Sequence, residues 1–178
     1  MKRALKVCLT AIALLLAGVS LWSWAEWEYG PPSEQRLRKQ FEMHRADYIR
    51  FATLLRNDRS TKGVGADGMA EIDGIHTRLV PEYRDLVRRI GAKDVTIRED
   101  GSVDFELWGH GCAICSDYYR GVLYIPKGHM TDGGGHRLHV VDSFDSDKLP
   151  QERGLVASGL YVIAIEPEWF IYRYEYQE

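Results

Sequence analysis

The hydrophobic pattern of this chain changes its period once, at Gly91, and that change constrains the fold more than any other feature. Before Gly91, apolar side chains recur every three or four residues, which is the spacing of helices. After Gly91, apolar and polar residues alternate, as they do in strands with one buried face. The order predicts an α+β domain in which two amphipathic helices pack on an antiparallel sheet of about five or six strands.

Both helices carry start and stop signals. Ser33 is an N-cap residue, and the apolar stripe that follows it over residues 37–55 is interrupted by His44 alone. The stripe ends near Asp58, and a glycine-rich loop with one short strand at 69–72 is predicted over residues 59–74. Pro81 then occupies the first position of a second helix, and Gly91 closes it as a left-handed C-cap.

The second half of the chain reads as strands joined by turns. Asp100-Gly101 is a strong hairpin signal between two alternating segments. Later strands are separated by a glycine-rich segment and by the turn Glu166-Pro167-Glu168. The strands predicted after Gly91 cover residues 95–97, 103–107, 121–125, 138–141, 159–165 and 169–176.

The N-terminus has the pattern of an export signal or a membrane anchor. Three basic residues within the first six precede the uncharged residues 7–25, which as a helix would be roughly 28 Å long. Trp22, Trp24 and Trp27 suit a membrane interface and favour an uncleaved anchor through residues 7–25, with the N-terminus in the cytoplasm. The alternative is cleavage after Ala25 and release into the periplasm.

These signals divide the chain into three parts and place it in a bacterial cell envelope. Residues 1–25 are the signal or anchor, residues 26–32 a linker, and residues 33–178 one α+β extracytoplasmic domain. Without the three basic residues at its start, the chain carries a formal charge of −6. Its arginines are scattered among acidic residues, and this argues against a nucleic-acid partner.

Cys112 and Cys115 form the sharpest local pattern in the sequence. Two cysteines three residues apart can form a structural disulfide, remain inert thiols, act as a redox pair or supply half of a metal site. An extracytoplasmic location favours the disulfide. A disulfide requires Cα atoms about 4.4–6.8 Å apart, whereas residues three apart in one strand are roughly 10 Å apart. The bond therefore requires a turn or a bulge between the two cysteines.

The histidines are a weaker group of candidates. Four of them flank or follow the cysteines and could complete a zinc site if the hairpins are neighbours, although their spacing matches no compact zinc module. A polar glycine-rich loop accounts for the same residues without a metal. The candidate metal ligands are His110, His129, His136 and His139.

Aromatic side chains at the C-terminus suggest a binding surface. Tyr174 and Tyr176 end a strand in which alternate residues are aromatic, and His44 interrupts the apolar stripe of the first helix. No nucleophile or cofactor motif accompanies them. The sequence therefore favours a non-enzymatic, membrane-tethered domain that binds a protein or an envelope component, without a cofactor. The alternative is an extracytoplasmic thiol-redox or metal-binding protein that uses Cys112 and Cys115.

Overall fold

The computed structural model describes Gly18 and residues 30–58, 60–72, 75–112, 115–127, 138–144 and 159–176. For residues 75–79, 110–112, 115–117, 159 and 175–176 only the backbone is described. Apart from Gly18 and residues 30–32, the predicted anchor and linker lie outside this part of the chain. Two compact units are present, Met1–Pro32 and Ser33–Glu178. Within the described residues, no helix has the length and apolar character needed to cross a membrane.

Helix α1 spans Glu34–Asn57 and begins as the sequence predicts. The backbone N–H of Arg36 donates to the Ser33 hydroxyl oxygen at 3.3 Å, which satisfies one of the free amides of the first turn. The predicted stripe is buried except at His44, where the backbone leaves helical geometry (φ −115°, ψ 19°) and α1 is kinked. The buried side chains of α1 are Leu37, Phe41, Tyr48, Phe51, Ala52 and Leu55.

Helix α2 spans Pro81–Ile90, and both of its predicted end signals are confirmed. Pro81 lies in the first turn, and Gly91 adopts the left-handed conformation (φ 67°) while its N–H donates to the Val87 carbonyl oxygen. One face of the helix is buried. The side chains on that face are Tyr83, Leu86, Val87 and Ile90.

Nine strands of the described residues form one sheet, in the order β3-β2-β1-β4-β5-β6-β9-β8-β7. All neighbouring pairs are antiparallel except β7 and β8, which are parallel. The bounds are β1 Gly63–Gly65, β2 Met69–Ile72, β3 Ile75–Leu79, β4 Asp94–Ile97, β5 Val103–Cys112, β6 Cys115–Tyr124, β7 Leu138–Val140, β8 Gly159–Glu166 and β9 Trp169–Tyr176.

The α+β class and the two helices are confirmed, but the prediction for the sheet was wrong in size and in pairing. In the described part of the chain, the observed sheet has nine strands rather than five or six, and it is mixed rather than wholly antiparallel. Strand β1 lies in the segment predicted as a glycine-rich loop, and β3 follows that segment directly. Strand β1 pairs with β2 and β4, and β3 pairs with β2. This pairing keeps β1 extended despite its weak strand propensity. Strands β7 and β8 can be parallel because a long connection joins them. A meander with short turns allows only antiparallel neighbours.

The helices cover one side of the sheet, which we call the first face. Its centre is Phe105 of β5, whose ring lies edge-on to Tyr48 at 5.0 Å and stacks with Trp169 at 6.1 Å between centroids. Phe41 of α1 contacts Trp169 at 5.2 Å. Each such aromatic pair contributes about 0.5–1.5 kcal/mol beyond the area that it buries. This cluster joins α1, α2 and the central strands into one hydrophobic core.

Candidate functional site

The other side of the sheet, which we call the second face, carries a pocket of about 260 Å³. Alternation along β5 sends Val103 and Phe105 to the first face and Asp104 and Glu106 to the second. A smaller apolar cluster around Val162 lies on the same second face. The second-face pocket is lined, among the described residues, by Arg98, Asp104, Glu106, Tyr119, Leu160, Tyr172 and Tyr174.

Asp104 is the most perturbed carboxyl group of the pocket. Its side chain is 22% exposed, and Arg98 Nη2 donates to its Oδ2 at 3.4 Å. Burial raises the pKa of Asp104 to about 6, although hydrogen bonding from the Tyr172 hydroxyl and the Arg98 charge both oppose the rise. Its Oδ1 atom is buried and has no hydrogen-bond partner among the described residues. Asp104 therefore retains a buried acceptor that a donor could stabilise.

Tyr172 reaches Asp104 by lying over a glycine. Tyr172 of β9 is the register partner of Gly121 in β6, and Gly121 is in turn the partner of Glu106 in β5. A Cβ atom on Gly121 would lie 2.9 Å from Tyr172 Cε1 and would clash with the Phe105 carbonyl oxygen. The missing side chain lets the Tyr172 ring cross β6 toward β5. Burial, followed by the nearby Asp104 carboxylate, raises the pKa of Tyr172 well above its ordinary value.

Glu106 makes a second close contact in the pocket, because the missing side chain of Gly109 leaves room for its carboxyl group. The β5–β6 register shifts between Glu106 and Trp108, which indicates a bulge at this point of the strand. A Cβ atom on Gly109 would clash with Glu106 Oε1 and would lie 2.8 Å from Tyr119 Cδ1. Burial raises the pKa of Glu106, the Asp104 and Asp94 charges add to the rise, and Lys93 opposes it.

Two tyrosines form the aromatic wall of the pocket. Tyr119 of β6 and Tyr174 of β9 are register partners, and their ring centroids lie 6.0 Å apart at an interplanar angle of 34°. Leu160 of β8 is the register partner of Tyr174 and supplies an apolar side chain to the lining. The pocket thus combines an aromatic wall with two carboxyl groups and one guanidinium group.

The size and the lining of the pocket limit what it can hold. Sites for drug-sized ligands occupy about 300–1,000 Å³, and the second-face pocket, at about 260 Å³, is smaller. It therefore suits a single side chain or a small head group. The described residues include no group of three or more histidine, cysteine, aspartate or glutamate side chains arranged to hold a metal ion.

A second depression of about 420 Å³ lies beside the C-terminal end of α1. Arg56 on its rim donates to the Tyr124 hydroxyl at 3.0 Å. Asp58 accepts hydrogen bonds from Thr61 and Tyr83 at 2.8 and 2.9 Å. The hydrogen bond from the Ser60 side chain is the main cause of a pKa of about 2 for Asp58. These charges tie the end of α1 to its surroundings, so we attribute a structural role to this depression.

The residues that the sequence singles out do not converge on one place. Tyr174 lines the second-face pocket, whereas His139 packs its ring against Tyr161 at 5.5 Å, and Tyr161 belongs to the first-face core. His44 Nδ1 lies 3.7 Å from Asp47 Oδ2 at the kink of α1. His129 and His136 lie outside the described residues, and the backbone alone is described for His110, Cys112, Cys115 and Tyr176.

The backbone nevertheless meets the geometric condition stated for the cysteines. Cys112 ends β5, Cys115 begins β6, and the two residues are register partners of the antiparallel pair. Directly opposed residues of antiparallel strands have Cα atoms roughly 4.5–5.5 Å apart, which is within the range of a disulfide. The disulfide itself stays a prediction.

Sequence reasoning missed three charged residues of the pocket, Arg98, Asp104 and Glu106. Their alternation with apolar residues predicts a solvent-facing side for β5, and nothing in the pattern distinguishes a solvated carboxyl group from a half-buried one. One signal was available. Gly121 is the first residue of a predicted strand and Gly109 lies two residues beyond another, and a glycine in a strand marks a close approach of another group.

No protein-family model, no curated protein and no solved structure matches this chain.

Proposed function

We propose that this chain is a non-enzymatic binding protein of the bacterial envelope, tethered by residues 7–25, and that the second-face pocket receives its partner. The observation that carries the proposal is the pocket itself, where ionisable and aromatic side chains line a small concave site. Tyrosine combines apolar area with a polar tip and is common at binding surfaces. The acidic charge of the chain outside the proposed tether supports a protein or envelope partner rather than a nucleic acid.

The energetics of the pocket support a role other than stability. Asp104 has a pKa of about 6, so at neutral pH the fold holds an ionised carboxylate in a site that disfavours its charge. An apolar residue of similar size avoids that cost. Perturbed ionisable groups that line a concave site are typical of functional surfaces.

Site-specific photo-crosslinking in living cells tests the proposal. A photoreactive phenylalanine analogue replaces Tyr174 of the full chain, which keeps an aromatic ring in the wall of the pocket. The matched control replaces Met43, which is 60% exposed on α1 and remote from the pocket lining. We expect a discrete adduct from position 174 and none from position 43. The adduct should weaken when Glu106→Gln is added.

Two results would contradict a binding role for the pocket. One is the absence of any adduct from position 174 although the protein is folded and present at the normal level. The other is the same set of adducts from positions 174 and 43, because that pattern indicates collision rather than specific binding.

The facing cysteines support a second candidate function, thiol-redox or metal chemistry at the tip of the β5–β6 hairpin. Cys112 and Cys115 are register partners, so a reversible disulfide between them requires little backbone movement. The competing proposal for the same pair is a structural disulfide, which extracytoplasmic oxidation favours.

Thiol alkylation followed by intact mass measurement separates these alternatives. A structural disulfide predicts a bond that resists mild reduction in a metal-free protein. A redox pair predicts ready reduction and reoxidation, with the reduction potential set against a glutathione buffer. Bound zinc in elemental analysis, lost in Cys112→Ser, would favour the metal role instead. A third cysteine, Cys8, precedes the domain and is replaced by Ser in every sample.

The membrane tether is tested separately. An intact mass that includes residues 1–25, together with retention of the protein in membranes washed with alkaline carbonate, is the result expected of an uncleaved anchor. A mass that begins at Glu26 would replace the anchor with a cleaved export signal and a periplasmic protein.

A further inference from the structure

We propose that the second-face pocket recognises a cationic nitrogen group, an ammonium or a guanidinium, of the kind found at the end of a lysine or arginine side chain or in a small polyamine. This inference rests on the proposed binding function and names the chemistry of its ligand. Three features of the pocket carry it: the balance of charges, the aromatic wall and the volume.

The charges in and around the pocket leave it acidic. Three carboxyl groups, those of Asp94, Asp104 and Glu106, lie on adjoining positions of β4 and β5, where Asp94 is the register partner of Glu106. Among the residues that the structure describes, two cations oppose them. Arg98 is engaged with Asp104 at 3.4 Å, and Lys93 Nζ donates to the Gly109 carbonyl oxygen at 3.4 Å. A cationic ligand would therefore restore charge balance, whereas an anionic one would meet excess negative charge.

Glu106 is the carboxylate best placed to bind such a group. Within the described part of the chain, Glu106 forms no ion pair, although it lines the pocket and is only partly buried. Its carboxyl group and the Tyr119 ring both approach Gly109, where the missing side chain leaves room for them. A carboxylate that is partly desolvated and lacks a paired cation gains more from an incoming ammonium than a solvated one does.

The aromatic wall suits the same ligand. Tyrosine rings attract a cation through their negative faces, and the attraction grows as water is excluded. Tyr119 and Tyr174 present two rings with centroids 6.0 Å apart beside Glu106. Leu160 can contact the aliphatic part of a lysine side chain or of a polyamine. At about 260 Å³, the pocket accommodates one such group rather than a folded peptide.

An anion at Arg98 is the opposing possibility, and the geometry disfavours it. The side chain of Arg98 is only 24% exposed, and its guanidinium already pairs with Asp104. A carboxylate or phosphate ligand would have to displace that pair while lying close to Glu106. The charge balance thus favours a cation even though one arginine lines the site.

The test is titration calorimetry of the full chain in detergent with small probes of defined charge. The cationic probes are N-acetyl-lysine methylamide, N-acetyl-arginine methylamide and spermidine. The neutral probe is N-acetyl-norleucine methylamide, and the anionic probe is N-acetyl-glutamate methylamide. For the cationic probes we expect a Kd on the order of 1–10 mM, because one charged contact and one aromatic contact contribute little more. We expect no measurable binding of the other two probes.

Variants identify the pocket as the site. Glu106→Gln and Tyr174→Leu should each weaken binding of the cationic probes by roughly tenfold. The matched control is Glu82→Gln, which removes the same charge from a 44% exposed residue of α2 and should leave Kd unchanged. Thermal unfolding of each variant verifies that the domain is folded. Equal binding by Glu106→Gln and the wild type would overturn the proposal, as would binding of the neutral or anionic probe at the same strength.

The pH dependence gives an independent readout. Among the described residues, the groups that line the pocket are the carboxyls of Asp104 and Glu106, the guanidinium of Arg98 and the hydroxyls of Tyr119, Tyr172 and Tyr174. The charges of Asp94 and Lys93 lie nearby. Because burial raises the pKa of Asp104 to about 6 and also raises the pKa of Glu106, both carboxyls gain protons on acidification, and affinity for a cation should fall from pH 7.5 to pH 5. A constant affinity over that interval would contradict a carboxylate anchor.

The probes also distinguish the source of the ligand and separate this inference from the proposed function. Tighter binding of the lysine or arginine probe than of spermidine assigns a protein partner, and the reverse order assigns a polyamine. An adduct from position 174 together with no binding of any cationic probe would overturn the ligand class while the pocket remained a binding site. Binding of a cationic probe without an adduct would support the ligand class and count against a macromolecular partner.

Discussion

The two faces of the sheet bury their side chains in different ways. On the first face, Phe105 lies among the rings of Tyr48, Phe51 and Trp169 and is fully buried. On the second face, its neighbour Asp104 lies in a pocket with an arginine, a glutamate and three tyrosines. The side chains of these two adjacent residues of β5 therefore lie in different environments, Phe105 in an apolar core and Asp104 in a polar cavity.

The apolar first face stabilises the fold, whereas the second face presents ionisable groups in a pocket. Apolar burial contributes about 25 cal/mol per Å² and is the main stabilising term on the first face. The second face retains carboxyl groups whose charged form burial disfavours. A polar cluster that lowers stability is what the binding role proposed above would require. The contrast can be tested by substitutions on each face.

The largest effect should come from Phe105→Ala. This change removes a fully buried ring that contacts three other aromatic side chains, and it leaves a cavity between α1 and the sheet. We expect the free energy of unfolding to fall by about 3–5 kcal/mol in urea denaturation. Met43→Ala, at a 60% exposed position of α1, should change it by less than about 0.5 kcal/mol. Similar losses in both variants would contradict the assignment of the core.

Gly121→Ala should have the next largest effect, because Gly121 lies against the Phe105 backbone and the Tyr172 ring. Phe105 belongs to the first-face core, and Tyr172 lines the second-face pocket. The added methyl group would clash with the Phe105 carbonyl oxygen and press on the Tyr172 ring, so we expect a loss of about 2–3 kcal/mol. Gly63→Ala is the matched control, since its Cβ would meet nothing closer than 3.4 Å. Its stability should change by less than about 1 kcal/mol. A tolerated alanine at position 121 would show that Tyr172 does not lie over the strand.

Asp104→Asn tests the cost of the polar face through its pH dependence. The folded pKa of Asp104, about 6, lies above the ordinary value of 3.8, so the native state holds a proton that the unfolded chain releases. The contribution of Asp104 to the free energy of unfolding is therefore fully present below pH ~4 and is lost as pH rises through ~6. Relative to wild type, Asp104→Asn should therefore gain about 2 kcal/mol between pH 4.5 and pH 7.5, since a tenfold change in proton affinity corresponds to ~1.4 kcal/mol. Denaturation at both pH values measures this gain, and a constant difference would contradict it.

Asp58→Asn should have a smaller effect, and its pH dependence should have the opposite sign. Hydrogen bonds from Ser60, Thr61 and Tyr83 lower the pKa of Asp58 to about 2, so its contribution is present above the ordinary value and is lost as pH falls toward ~2. At pH 7 the variant should lose about 1 kcal/mol relative to wild type, and the loss should shrink on acidification. Denaturation at pH 7 and pH 2.5 provides the check. A loss that grows on acidification would indicate that Asp58 is not held by these donors.

Local signals in the sequence were enough to predict both helices. Ser33, Pro81 and Gly91 act through backbone groups within one turn, and the apolar stripe of α1 needs only the helical repeat. The strand that follows the Asp100-Gly101 turn was likewise predictable, because the turn fixes its pairing with β4. Interactions between close neighbours in the chain carry this information.

The pairing of distant segments could not be read in the same way. Strand β1 consists of Gly63, Val64 and Gly65, and its strand conformation depends on β2 and β4 on either side. The parallel pair β7–β8 depends on a connection too long to specify its direction. The residues that line the second-face pocket come from β5, β6, β8 and β9, together with Arg98. No pattern within one short segment of the sequence therefore predicts the pocket.

By itself, the sequence determined that the chain is α+β, where its two helices begin and end, and which residues of β5 alternate between the two faces. These properties follow from backbone geometry and hydrophobic periodicity, which act over a few residues. Tertiary structure alone decided that the sheet has nine strands in the described residues and that Asp104 is a half-buried carboxyl group instead of a solvated one. The pKa of a carboxyl group depends on the groups packed around it, and strands far apart in the chain bring those groups together.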